Sequence, residues 1–181
     1  MKRKLGLPLT ILGIIIAVLL ICFLYIAREY KVSLEGFKYQ LGEENVPVSE
    51  SAVLKIDGKV KKSITGQRTF IGTIDISGED IPVPEKYRKL EIKLQRDGSG
   101  VIIYHYNDKG LPVIYSYGTL YASSDFSEVT IAIFDRQEHS SSGVWTAEDG
   151  LMFSAPSNSR EEALSISNRR MSRVLQNVIL H

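Results

Sequence analysis

The residues able to do chemistry in this chain are few, and their spacing is poor for it. There are three histidines, His105, His139 and His181, and none has a second histidine three to five residues away. The only cysteine, Cys22, sits inside an apolar run. A zinc site needs about three protein ligands, so no metal is expected and no cofactor either. There is no G-x-S-x-G elbow and no S-x-x-K pair, so nothing marks a serine nucleophile. Gly98 and Gly100 lie in a hairpin turn rather than before a helix, which excludes a phosphate-binding loop of the usual kind. One pair of acids is placed for hydrolysis. Glu148 and Asp149 follow the only tryptophan, Trp145, and carboxylates beside a sugar-stacking ring could serve a small envelope hydrolase. The same residues, ending in Gly150, also make an ordinary turn beside a core aromatic.

The other candidate group is aromatic. If Asp97-Gly98 is a two-residue turn, then Leu94 opposes Val101, Ile92 opposes Ile103 and Leu90 opposes His105. The opposite face then carries Tyr104 and Tyr106, and the next strand adds Tyr115 and Tyr117. Four tyrosines among charged residues predict an interface, because tyrosine combines apolar area with a hydroxyl at little entropic cost. A one-residue bulge would invert the faces.

The elements that must hold these residues read as follows. Val32 to Ser51 has Gly36, Gly42, Glu43-Glu44-Asn45 and Pro47 without an apolar period, and reads as a stalk. Ala52–Ile56 and Val60–Ile64 flank Asp57-Gly58 as a hairpin. Strands follow at Thr69–Ile76, Leu90–Leu94, Val101–Tyr106, Val113–Tyr121 and Val129–Phe134, and Trp145 with Leu151–Phe153 makes a last hairpin around Asp149-Gly150. Ser159 and Glu162 fit a capping box. Ala163, Leu164, Met171, Val174, Leu175 and Val178 then recur at helical spacing, with Arg169, Arg170 and Arg173 on the polar side. The fold class expected is α+β: a mostly antiparallel sheet with the C-terminal amphipathic helix across one face.

Leu9 to Ala27 is a run of 19 residues without a charge, preceded by Lys2-Arg3-Lys4. As helix it would be roughly 28 Å long, near the ~30 Å hydrocarbon core of a bilayer. It ends Tyr25-Ile26-Ala27, a poor cleavage site, and Ile21 before Cys22 does not fit a lipobox. The expectation is an uncleaved single-pass signal anchor with a cytoplasmic N-terminus. The parts would be a basic N-terminus at 1–8, the transmembrane helix at 9–27, a stalk at 28–51 and an extracytoplasmic β-rich domain at 52–181. Beyond the run, 19 basic residues face 21 acidic ones, a formal charge of −2, which leaves no electrostatic footprint for nucleic acid. Trp145 to Met171, and Tyr117-Gly118-Thr119-Leu120-Tyr121 with Asp125-Phe126-Ser127, resemble small single-pass cell-envelope proteins of Gram-positive bacteria that carry no assigned function. The resemblance implies a bacterial membrane protein and no catalytic residue. The expected function is a membrane-tethered interaction module that binds another envelope protein or a cell-wall component.

Overall fold

The computed structural model describes residues 11–16, 27–45, 49–134, 143–176 and 178–181. Eight antiparallel strands follow one another: β1 (Arg28–Gln40), β2 (Ser49–Lys62), β3 (Arg68–Ile76), β4 (Leu90–Leu94), β5 (Ser99–Asp108), β6 (Leu111–Ala122), β7 (Val129–Ile133) and β8 (Leu151–Ala155). Their order in the sheet is β4-β3-β2-β1-β8-β7-β6-β5. Each strand pairs with its neighbours in sequence except across β4 and β5, and β8 returns to pair with β1, Phe37 opposite Ser154. The sheet therefore curls into a nearly closed up-and-down barrel, which leaves only the short edges of β4 and β5 without a ladder between them. One helix, α1 (Arg160–Leu175), packs outside the barrel on β1, β6, β7 and β8.

Eight strands enclose a space that side chains just fill. Leu54, Ile56, Phe70, Leu120, Phe126 and Phe153 fill it here, all fully buried. A second, smaller cluster lies between barrel and helix: Tyr39, Ala132, Met152, Met171 and Leu175. A chain of hydroxyls crosses that layer. Tyr39 meets Ser167 at 2.6 Å, Ser167 meets Ser154 at 2.7 Å and Ser154 meets Thr130 at 2.9 Å. Each hydroxyl is satisfied by the others, so burial costs little, and α1 is registered against three strands at once.

Two expectations about membranes are corrected. Among the described residues no helix is long and apolar enough to cross a membrane. Residues 11–16 are helical, about 9 Å of rise against the ~30 Å a span needs. The remainder of the expected span, at 9–10 and 17–26, and Lys2-Arg3-Lys4 before it, lie outside the described residues. The single-pass anchor, and the cytoplasmic N-terminus and extracytoplasmic placement that depended on it, are not carried further. The fold class is corrected with them. The domain is a mostly antiparallel β-barrel with one C-terminal helix on its outside, rather than an α+β open sheet behind a transmembrane helix.

Three local readings change for identifiable reasons. The supposed stalk is largely β1, whose Tyr30, Val32 and Leu34 pack against the core on alternate positions while Lys31, Ser33 and Glu35 face out. Asp57-Gly58 is no turn, because β2 runs straight through it. Gly58 lies opposite Gly72 of β3, and the Phe70 ring occupies the space where either Cβ would go, 2.8 and 2.9 Å from it. Trp145 forms no strand with Leu151–Phe153. Strand β8 pairs with β1 and β7 instead.

The end of the barrel near the β6–β7 turn is plugged by Phe126. Its backbone is left-handed, with φ +59°, yet it is not glycine. Asp125 holds the turn by accepting from the Ser123 and Ser127 hydroxyls at 2.7 and 2.8 Å and from the Ser127 N–H at 3.2 Å. These bonds hold the Asp125 carboxyl down at about 2. The ring then lies edge-on to Tyr30 at 5.0 Å and beside Phe70 at 5.5 Å. Phe126→Ala should lower stability by about 3 kcal/mol, read as a shifted urea midpoint with unchanged slope. An unmoved midpoint would mean that the ring does not plug the barrel.

Candidate functional site

The tyrosine face expected at the surface is inside. The β4–β5 turn has three residues, Arg96-Asp97-Gly98, because the Gln95 N–H donates to the Ser99 carbonyl at 2.7 Å and Gly98 takes φ +85°. That odd residue moves the register by one. Leu94 stands by Gly100, not Val101, and Ile102 and Tyr104 join Leu90, Ile92 and Leu94 in the core. Val101 and His105 are the exposed ones. Tyr104 and Tyr117 are 2 % and 4 % exposed, and Tyr106 and Tyr115 are half-buried against the same core. The pairing of Tyr104 with Tyr115 is as expected, at 5.9 Å between rings. A bulge in β6 puts Tyr117 between the partners of Ile102 and Ile103 and keeps its ring inward. Burial pushes the Tyr104 and Tyr117 phenols well above their ordinary pKa, and the Glu79 carboxylate adds to the effect at Tyr117. Glu79 itself is paired with Lys38, which also reaches Glu50 at 3.4 Å. Burial opposes the Lys38 charge, but the two carboxylates outweigh it and hold the ammonium above its usual pKa. The tyrosines are therefore part of the barrel interior.

The hydrolytic pair is not built either. Glu148 and Asp149 are exposed in a turn, and the Thr146 hydroxyl donates to Asp149 Oδ1 at 2.5 Å, so that carboxylate caps its own loop. Trp145 is half-buried against the apolar cluster between barrel and helix. His105 faces solvent on β5, His181 is exposed, and His139 lies outside the described residues. Among the described residues no three histidines, cysteines or carboxylates are grouped to hold a metal.

The structure assembles something else. A cleft of about 240 Å³ is walled by Arg68 at the start of β3, Arg96 and Asp97 in the β4–β5 turn, Ser123 and Ser124 after β6, and Arg169, Arg170, Ser172 and Arg173 of α1. Five guanidiniums thus face one carboxylate. That carboxylate is already engaged, since the Ser99 hydroxyl and N–H donate to Asp97 Oδ1 at 2.7 and 2.9 Å. Those bonds, helped by Arg173, hold its carboxyl below the ordinary range. Arg169 is clamped by Glu128, at 2.7 and 3.3 Å. Arg68 donates to the Ser124 carbonyl at 3.1 Å. Among the described residues, Arg68, Arg96, Arg170 and Arg173 have no carboxylate within salt-bridge distance. The Arg170 Nε is buried without any hydrogen-bond partner, an uncommon state for a charged group. A groove of about 630 Å³ outside β1–β3 is larger, but its charges are mixed. Lys31 pairs with Asp57 there, and Glu29, Lys59 and Lys89 also line it.

Basic residues near a helix C-terminus have a structural reason, because they complement the helix dipole. That accounts for Arg173. It does not account for Arg68 and Arg96, which come from the barrel and converge on the same space. Only the helix trio was visible beforehand. Arg169, Arg170 and Arg173 have no acidic residue three or four positions away, a sign that their partners are not on the helix. Comparison of the chain with protein-family models, with curated proteins and with solved structures finds no match in any of the three.

Proposed function

We propose that this barrel is a binding module rather than an enzyme, and that the arginine cleft is where it meets an anionic group on its partner. The observation that carries this reading is the convergence of four guanidiniums without carboxylate partners on one cleft, in a chain of formal net charge only +1. Like charges brought together repel, so an arrangement of this kind is costly unless an anion occupies it. Guanidiniums suit that task because their planar fork matches the oxygens of carboxylate and phosphate. The partner expected from sequence, an envelope protein or a wall component, is here defined by chemistry instead of by location. No tyrosine takes part, and Glu148 and Asp149 have no role.

The test is retention on a sulfonate resin. At low salt the wild-type chain should bind and elute as salt rises, since exposed charges are screened within about 10 Å at 0.1 M. The double variant Arg96→Glu/Arg173→Glu should elute much earlier and remain folded, with a melting temperature lowered by a few degrees at most, because both side chains are exposed and only Arg173 complements the helix dipole. Equal elution of the two proteins would remove the basis for the reading.

A further inference from the structure

We infer that the group this cleft accepts is a phosphate: four guanidiniums without carboxylate partners, from both the barrel mouth and helix α1, line a space open to a compact, doubly charged anion. The inference rests on the reading of the cleft as an anion site, and adds the ligand's chemical class.

Size comes first. At about 240 Å³ the cleft is below the ~300–1,000 Å³ of pockets that enclose a whole drug-sized ligand. It suits a small anion or the end group of a larger molecule. Lining comes second. No aromatic side chain borders it, so it offers no platform for a nucleobase to stack on. Charge comes third. A carboxylate presents one charge and two oxygens, which one bidentate arginine satisfies, and Glu128 already does this for Arg169. Arg68, Arg96, Arg170 and Arg173 remain, and a phosphate monoester brings nearly two charges and three strong acceptor oxygens to them. Of the serines that line it, Ser123 and Ser172 already give their protons to the Asp125 carboxylate and the Arg169 carbonyl, so Ser124 is the one that offers a hydroxyl donor.

The position of the cleft has a consequence for stability. Its walls belong to the barrel turns and to α1, so an anion bound there joins helix to barrel. Binding should therefore raise the melting temperature with ligand concentration.

The experiment titrates the full-length chain with inorganic phosphate, O-phosphoserine, sulfate and acetate, by calorimetry and by thermal shift. Phosphate should bind at least about tenfold more tightly than acetate at pH 7 and raise the melting temperature. A phosphate monoester loses its second charge with a pKa near 6, so phosphoserine affinity should fall about tenfold between pH 7 and pH 5. Sulfate affinity should stay level over that range. The charged groups around the ligand are the five arginines, Asp97 and Glu128. Arginine does not titrate there. The Asp97 carboxyl, lowered by Ser99, stays ionised as well. Arg96→Glu and Arg173→Glu should each weaken phosphate at least about tenfold. The unliganded melting temperature should hold in Arg96→Glu and fall only slightly in Arg173→Glu, which also loses a favourable charge near the helix C-terminus. Phosphoserine binding as tightly as inorganic phosphate supports an end group on a larger molecule, and inorganic phosphate binding alone supports the free anion. Acetate equal to phosphate, with both lost in Arg173→Glu, would overturn the phosphate assignment and leave the anion site standing. Sulfate and phosphoserine weakening together at low pH would also overturn it, since the protein would then be titrating. No response to any anion would overturn the assignment and the underlying reading together.

Discussion

Replacing Tyr104 and Tyr115 with serine together should cost about 5 kcal/mol or more and leave the domain unfolded or nearly so at room temperature. Tyr104 is almost fully buried, and its ring is tilted against Tyr115 at 5.9 Å, with Tyr117 a further 6.5 Å beyond Tyr115. Truncating a buried aromatic to a small residue costs roughly 3–5 kcal/mol through lost transfer energy and the cavity left behind. Serine keeps a hydroxyl but draws it back beside the backbone, where it must find a new partner inside the barrel. Domains of this size are stable by about 5–15 kcal/mol in total, so the pair consumes most of it. The two sites touch, so their effects will not be additive. Chemical denaturation of the double variant measures this. A midpoint close to wild type would mean that these rings face solvent after all, and would revive a tyrosine interface.

Met171→Asp should be comparably severe. Met171 is completely buried between α1 and the barrel, among Tyr39, Ala132 and Met152. Removing a buried methionine side chain costs about 2–5 kcal/mol, and a carboxylate placed there must also be desolvated. The loss of α1 would also expose the hydroxyls of Tyr39, Ser154 and Thr130, which lose Ser167 as their common partner. Val174→Asp is the matched control. Its position was expected to be on the apolar stripe, but it is 52 % exposed, and the change should stay within about 0.5 kcal/mol. If both variants melt with wild type, the helix is not docked on the barrel. If both are crippled, the stripe is wider than the structure places it.

Much of the secondary structure was legible because its signals are local. Leu90, Ile92 and Leu94 alternate with Glu91, Lys93 and Gln95, and β4 is there. Ser159 accepts from the Glu162 N–H at 3.3 Å, as the capping pattern implied. The Glu162 carboxylate accepts from the Asn158 N–H at 2.8 Å, one residue earlier than a strict capping box would have it. The far end of α1 was less legible. The helix stops at Leu175, with Gln176 left-handed at φ +45°, although Val178 continues the periodic pattern. No terminating glycine or proline marks that point, so apolar spacing alone ran on too far.

The candidate site was hardly legible at all. Its arginines lie at 68, 96, 169, 170 and 173, and net charge averages them away against acids elsewhere on the surface. The tyrosines illustrate the opposite problem. Their spacing and their cross-strand pairing follow from sequence, but which face they occupy depends on whether one turn holds two residues or three.

Sequence by itself determined where strands alternate and where the helix is capped, because both are decided by neighbours along the chain. Tertiary structure alone decided that β8 meets β1 across more than a hundred residues, that Gly58 and Gly72 meet under Phe70 instead of turning the chain, and that Arg68 and Arg96 come to face the helix arginines. The physical reason is parity and closure. A strand's two faces are equivalent until a turn's residue count and the closing of the barrel assign one of them to the core. Charges far apart in sequence share a site only once that closure has put them there.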